Sequence, residues 1–233
     1  MGRCFDKNIN RLFLPNVDVA SMPLVFDLVK SYPQNCFAML GLHPCDVKDN
    51  WQQQLDMIGA AIPIHKIYAI GEIGIDLYWD KTTLPQQITA FKTQIGWAKT
   101  NNLPIVIHCR DAFDEVFAVL QEEHDDRLRG IFHCFTGTLE QARKVISLGF
   151  YLGIGGVITY KNSGLDAVVQ QIDLKHIVLE TDSPYLTPVP YRGKRNESSY
   201  LVYVAQKVAE LHHITIDEVA ERTTANSKTV FGV

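Results

Sequence analysis

The sequence predicts an α/β fold built on parallel strands, and three observations predict it. Seven short, nearly continuous apolar runs recur along the 233 residues, longer amphipathic stretches separate them, and polar residues gather at the C-terminal ends of the runs. Strands buried on both faces read as unbroken apolar runs, as parallel sheets require. Strand–helix units in series are the pattern of a parallel α/β domain.

In order, the runs are Arg11–Pro15, Cys36–Gly41, Ile67–Gly71, Pro104–His108, Gly130–His133, Phe150–Gly153 and His176–Glu180. The stretches between them suit helices. Leu84 to Ala98 carries Leu, Ile, Phe, Ile and Trp at helical spacing, and Leu139 to Leu148 does likewise, with Gly149 as its stop. No linker, repeat or low-complexity segment interrupts the series, so residues 1–233 read as one domain. A barrel and a doubly wound open sheet both satisfy this order. They differ in where chemistry falls: a switch-point site draws on few strand ends, a barrel site on nearly all of them.

Composition narrows the function. The net charge of -4 excludes a chain that binds nucleic acid through overall basicity, so an anionic substrate must meet a local patch or bound cations. The five cysteines are odd in number, scattered and without a CxxC, which reads as reduced thiols of a cytoplasmic protein. The N-terminus lacks the apolar run of a signal peptide, and no run approaches the roughly 18 residues of a membrane span. There is no GxSxG and no P-loop.

The run ends carry the chemistry. The second run leads into Gly41-Leu42-His43-Pro44. The third leads into Gly71-Glu72-Ile73-Gly74-Ile75-Asp76 and the fourth into His108-Cys109-Arg110. The fifth leads into His133-Cys134 and the seventh into Glu180-Thr181-Asp182. Each alone has a bland reading: a strand-end His is commonly structural, and Glu72 or Asp182 could cap a helix. Together they supply imidazole and carboxylate at one rim of a barrel, a donor set for one or two divalent metal ions such as Mg, Mn or Zn. Such an ion lowers the pKa of bound water and neutralises phosphoryl charge. Glu72 is the natural bridging carboxylate, and Asp182 a ligand or the acceptor of the water proton. Gly153-Ile154-Gly155-Gly156 reads first as a tight turn, and otherwise as a backbone approach to phosphate. The loop 188–197 packs Arg192, Lys194 and Arg195 beside Tyr191. Its cations suit phosphate, as does Arg110, and Tyr191 could stack on a base.

These segments resemble the TatD family of metal-dependent DNases. The shared motifs are GLHP (41–44), GEIGID (71–76), IHCR (107–110), HCFTG (133–137), GG-IT (155–159), ETDSPYL (180–186) and PYRGKRNE (190–197), with NSKTVFGV (226–233) at the end. The resemblance implies a TIM-type barrel, divalent metal and hydrolysis of DNA phosphodiesters. It implies that Glu72, His108 and His133 hold one metal, that Asp182 serves the other or accepts a proton, and that His43 sits near substrate. The family opens with a strand bearing His-x-His, and no His precedes His43 here. On this reading the first strand, its two ligands and most of the first helix are absent. The chain would then bind at most one metal well and cleave weakly. Two other functions fit the same residues: a hydrolase of small phosphoesters or amides, and a catalytically impaired metal-binding protein. The cationic loop favours an anionic polymer over an amide.

Overall fold

A computed structural model describes residues Met1–Val233. The chain divides into two compact units, Arg11–Gly130 and Ile131–Val233 with Met1–Asn10. All seven expected strands form, and seven is the number found.

The N-terminal unit holds β1 (Leu12–Pro15), β2 (Cys36–Met39), β3 (Ile70–Asp76) and β4 (Ile105–Arg110), each followed by a helix. β1 pairs with β2 and β3 with β4, both in parallel, and Leu40 bridges to Ile70. The expected helix over 84–98 spans Leu84–Asn101. It buries Ala90, Phe91, Gln94, Ile95 and Ala98 at spacings of three and four, and Asn102 closes it at φ 52°.

β3 differs from the run that announced it. The strand begins at Ile70 and continues through Glu72 to Asp76, instead of ending at Gly71. Ile73 and Ile75 alternate with Glu72, Gly74 and Asp76, so the charges share one strand face. They are tolerated at 7% and 2% exposure because that face meets polar partners. β4 likewise runs past His108 to Arg110. Gly74 lies opposite His108 in the register. A Cβ there would stand 2.0 Å from the His108 carbonyl oxygen, so only glycine permits this approach.

The C-terminal unit holds β5 (Gly130–Phe132) from Ile131 onward, β6 (Phe150–Ile154) and β7 (Ile177–Leu179), in that spatial order. The helix expected over 139–148 spans Leu139–Ser147. It opens with a capping box between Thr138 and Gln141, and Gly149 follows it at φ +81°. Asn226, on the helix Ile216–Phe231, donates to the carbonyls of Leu174 and Ile177 at 2.7 Å each and ties that helix to the start of β7. No helix is long and apolar enough to cross a membrane.

Candidate metal centre

Three donors cluster in the N-terminal unit. His43, Glu72 and His108 each offer a ligand atom, and these atoms all lie within 4.8 Å of one another. One helix positions two of the segments involved. Gln94 accepts from the Leu42 amide and donates to the Leu42 carbonyl, fixing the turn before His43. Gln87, two helical turns earlier, does the same for Asp76 at 2.8 and 3.1 Å. Both glutamines are essentially buried, so these clamps are shielded from water.

His108 lies between two carboxylates on the β3 face. Its Nε2 is 2.8 Å from Asp76 Oδ2, and its Nδ1 is 2.9 Å from Glu72 Oε1. Asp76 Oδ1 accepts from the amides of Tyr78 and Trp79 at 3.0 and 3.1 Å. Burial alone would raise the Asp76 carboxyl. The bond from His108 and those from the two amides outweigh burial and hold it at about 2. An ionised carboxylate only accepts, so His108 carries its proton on Nε2. A neutral ring of that tautomer turns the Nδ1 lone pair toward the Glu72 oxygen, and a charged ring donates Nδ1–H to it. A metal ion held by Nδ1 and Glu72 would take the place of that proton. Donors bound at about 2.0–2.2 Å to one ion stand roughly 2.9–3.5 Å apart. The 2.9 Å between His108 and Glu72 fits, and His43 Nε2 stands beside the pair, 3.2 Å from His108 Nδ1 and 3.5 Å from Glu72.

His43 is the different member. Its Nδ1 accepts the Cys45 amide at 3.2 Å, and an amide can only donate. The neutral ring therefore presents Nε2–H to the cluster. Burial pushes the ring's pKa down, but its hydrogen bonds to Cys45 and Glu72 and the Glu72 charge carry it up to about 9. While the Cys45 bond holds, His43 donates toward Glu72 and whatever Glu72 binds.

In the C-terminal unit His133 Nδ1 lies 2.6 Å from Glu180 Oε2, and its Nε2 lies 3.5 Å from Asp182 Oδ1. Glu180 Oε1 accepts the Cys134 amide at 3.0 Å. The glycine segment makes room for this carboxylate: a Cβ on Gly153 or Gly155 would come within 2.7 or 3.1 Å of a Glu180 oxygen. A Cβ on Gly156 would strike the Leu186 carbonyl at 2.1 Å. Close packing against Glu180 and Leu186, which neither reading of the segment named, accounts for its glycines.

The sequence-level substrate contacts are placed as follows. Arg110 lies flat over the Tyr78 ring at 3.7 Å, and Arg192 over Tyr160 at 3.7 Å. Tyr191 stacks on Tyr200 at 4.5 Å, which covers one of its faces, and Lys194 sits 5.9 Å from the Tyr191 ring. Lys194 and Arg195 are exposed. Sequence reasoning gave no role to Asp76 or Glu180, although each stands within a motif that it had singled out. The period-two spacing of Glu72, Gly74 and Asp76 is the signal that could have found Asp76.

The fold and this donor chemistry define a metal-dependent hydrolase of the α/β TIM-barrel class. The chain belongs to the TatD-related DNase family, which it matches over residues 1–232. It is 40% identical to the metal-dependent hydrolase YabD of Bacillus subtilis (strain 168) over 228 residues, 97% of this chain and 89% of that one. It is 33% identical to the 3'-5' ssDNA/RNA exonuclease TatD of Shigella flexneri serotype 5b, over 100% of this chain and 92% of that one. The crystal structure of YJJV, a TatD homologue from Escherichia coli K12, superposes with a TM-score of 0.93 at 29% identity, covering 100% of this chain and 90% of that one.

Proposed function

We propose that the chain hydrolyses phosphodiester bonds in single-stranded nucleic acid, as an exonuclease-like DNase dependent on divalent metal. The observation that carries this reading is the convergence of His43, Glu72 and His108, whose ligand atoms lie within 4.8 Å of one another. The likeness to an exonuclease named for single strands supports the substrate. Glu72 and His108 are ligands on the N-terminal unit, and His133 and Asp182 are ligands on the C-terminal one. A bound divalent ion supplies an acidified water and neutralises phosphoryl charge. Asp76 holds His108 with Nδ1 unprotonated, and Glu180 holds His133 with Nε2 unprotonated. Asp182, at 31% side-chain exposure, accepts the proton of the attacking water. His43 presents Nε2–H to the substrate, Arg110, Arg192, Lys194 and Arg195 contact its phosphates, and Tyr191 stacks on a base.

The test compares single-stranded DNA, a chromogenic small phosphodiester and a cyclic amide after chelation and return of Mg²⁺ or Mn²⁺. Metal-restored cleavage that favours DNA is expected. Turnover of the amide alone, or cleavage indifferent to chelation, would overturn the reading.

A further inference from the structure

Beside the donor cluster the N-terminal unit holds a cavity of about 370 Å³, within the range of small-molecule sites. Pro44, Cys45 and Val47, from the turn that follows His43, line it together with Trp79. Asp76, Gln87 and Lys48 line it as well. Trp79 is 70% exposed, an unusual position for the largest apolar side chain.

That exposure is held in place. Asp76 Oδ1 accepts the Trp79 backbone amide while Asp76 Oδ2 meets His108 Nε2, so a single carboxylate holds both the backbone that carries Trp79 and the donor cluster. The Tyr78 ring stands edge-on to Trp79 at 5.0 Å and is itself covered by Arg110 at 3.7 Å. The polar lining is already engaged. Gln87 bonds the Asp76 backbone in both directions, and Asp80 Oδ1 accepts from the Thr82 amide and hydroxyl at 2.8 and 2.6 Å. The two carboxylates disfavour an anion in the cavity. What remains of the lining is an exposed indole together with Pro44 and Val47, apolar surface suited to a flat, uncharged ring.

We propose that this slot binds one nucleobase of a single-stranded substrate by stacking on Trp79, next to the site that receives the phosphodiester. The proposal deepens the phosphodiesterase reading and rests on it for the identity of the ligand. It explains how a chain of net negative charge gains hold of a nucleic acid: the base contributes affinity that the phosphates alone do not.

The test measures fluorescence anisotropy of a labelled phosphorothioate oligothymidylate, which resists cleavage, and of an abasic strand of the same length and backbone, with Mg²⁺ present. The parent is expected to prefer the base-bearing strand. Trp79→Ala is expected to lose roughly tenfold or more in affinity for it and to leave the abasic strand unchanged. Trp79→Phe, which keeps an aromatic face, is expected to retain most of the preference. Equal binding of both strands by the parent, or full affinity in Trp79→Ala, overturns the base site. Cleavage of ordinary oligothymidylate by the parent reports separately on the hydrolytic reading. A parent that cleaves without base preference keeps that reading and loses the slot, whereas one that binds through Trp79 and cleaves nothing keeps the slot and loses the hydrolysis.

Discussion

The two units position a histidine in the same way with opposite ends of the ring. In the N-terminal unit a carboxylate, Asp76, takes Nε2 of His108 and turns Nδ1 toward the ligand cluster. In the C-terminal unit Glu180 takes Nδ1 of His133 and turns Nε2 toward Asp182. Each carboxylate spends its other oxygen on backbone amides just beyond a strand, Tyr78 and Trp79 in one case and Cys134 in the other. Amides donate and cannot accept, so the carboxylates are oriented and the ring tautomers follow. The difference lies in the supporting backbone. The N-terminal histidine sits in mid-strand opposite a glycine, whereas the C-terminal one follows β5 and depends on a glycine-rich segment that clears space for Glu180.

The largest effect should come from removing a donor. His108→Ala and Glu72→Gln are each expected to lower Mn²⁺ affinity about a hundredfold or more, measured by calorimetry, with hydrolysis falling alongside. Equal metal affinity in either variant would break the assignment of this cluster as a metal centre. Asp76→Asn and Glu180→Gln test the tautomer argument directly. In each variant the amide oxygen must take the backbone N–H bonds, which leaves the NH₂ facing the histidine and forces the ring proton to the other nitrogen. Nitrogen-15 shifts of the imidazoles are expected to move His108 to its Nδ1–H form and His133 to its Nε2–H form. Asp76→Asn is expected to weaken metal binding about 10–100-fold. It should also flatten the acid limb of stability. The Asp76 carboxyl is held at about 2 against an ordinary 3.8, so its contribution is present above the ordinary value and lost as pH falls through the folded one.

Much of this was legible in the sequence because strand burial writes itself as apolar runs. All seven strands, the helix after β3 and the stop at Gly149 follow from periodicity and turn chemistry. What escaped is instructive at β3. Glu72 and Asp76 look like the polar end of a strand, since charge normally marks the exit from a core. They lie inside it because His108 meets both from the neighbouring strand, and a partner 32 to 36 residues away is not visible in a local pattern. Glu180 was hidden for the same reason: its partner, His133, is 47 residues distant. The donor character of His43 depends on a single amide contact, which spacing alone does not reveal.

Backbone crowding offers a smaller test of the same contrast. Gly74→Ala places a Cβ 2.0 Å from the His108 carbonyl at φ +141°, and the neighbour is strand backbone, which cannot turn aside. It is expected to cost about 1–3 kcal/mol, read as a drop of several degrees in Tm. Gly155→Ala meets only a Glu180 oxygen at 3.1 Å, the end of a side chain. It should cost less stability and show instead as a disturbed His133 resonance. Equal destabilisation by the two would erase the distinction between a strand-held and a loop-held histidine.

The smallest expected effect concerns the cysteine after His108. Burial, with added push from Glu115, Asp111 and Asp76, lifts the Cys109 thiol to about 12, against a modest pull from the Ala112 amide. The thiolate is the form that alkylates, so at pH 8 only about one Cys109 in 10⁴ is reactive at any moment. Iodoacetamide at pH 8 is therefore expected to leave Cys109 unmodified in the folded protein and to label it in urea, as read by peptide mass. Cys109 belongs to β4, whose partner β3 carries Glu72 and Asp76, so its protection reports the packing that holds His108 in mid-strand. Rapid labelling of Cys109 in the native chain would mean that this strand pair opens readily. The mid-strand histidine would then be no better fixed than its counterpart beyond β5.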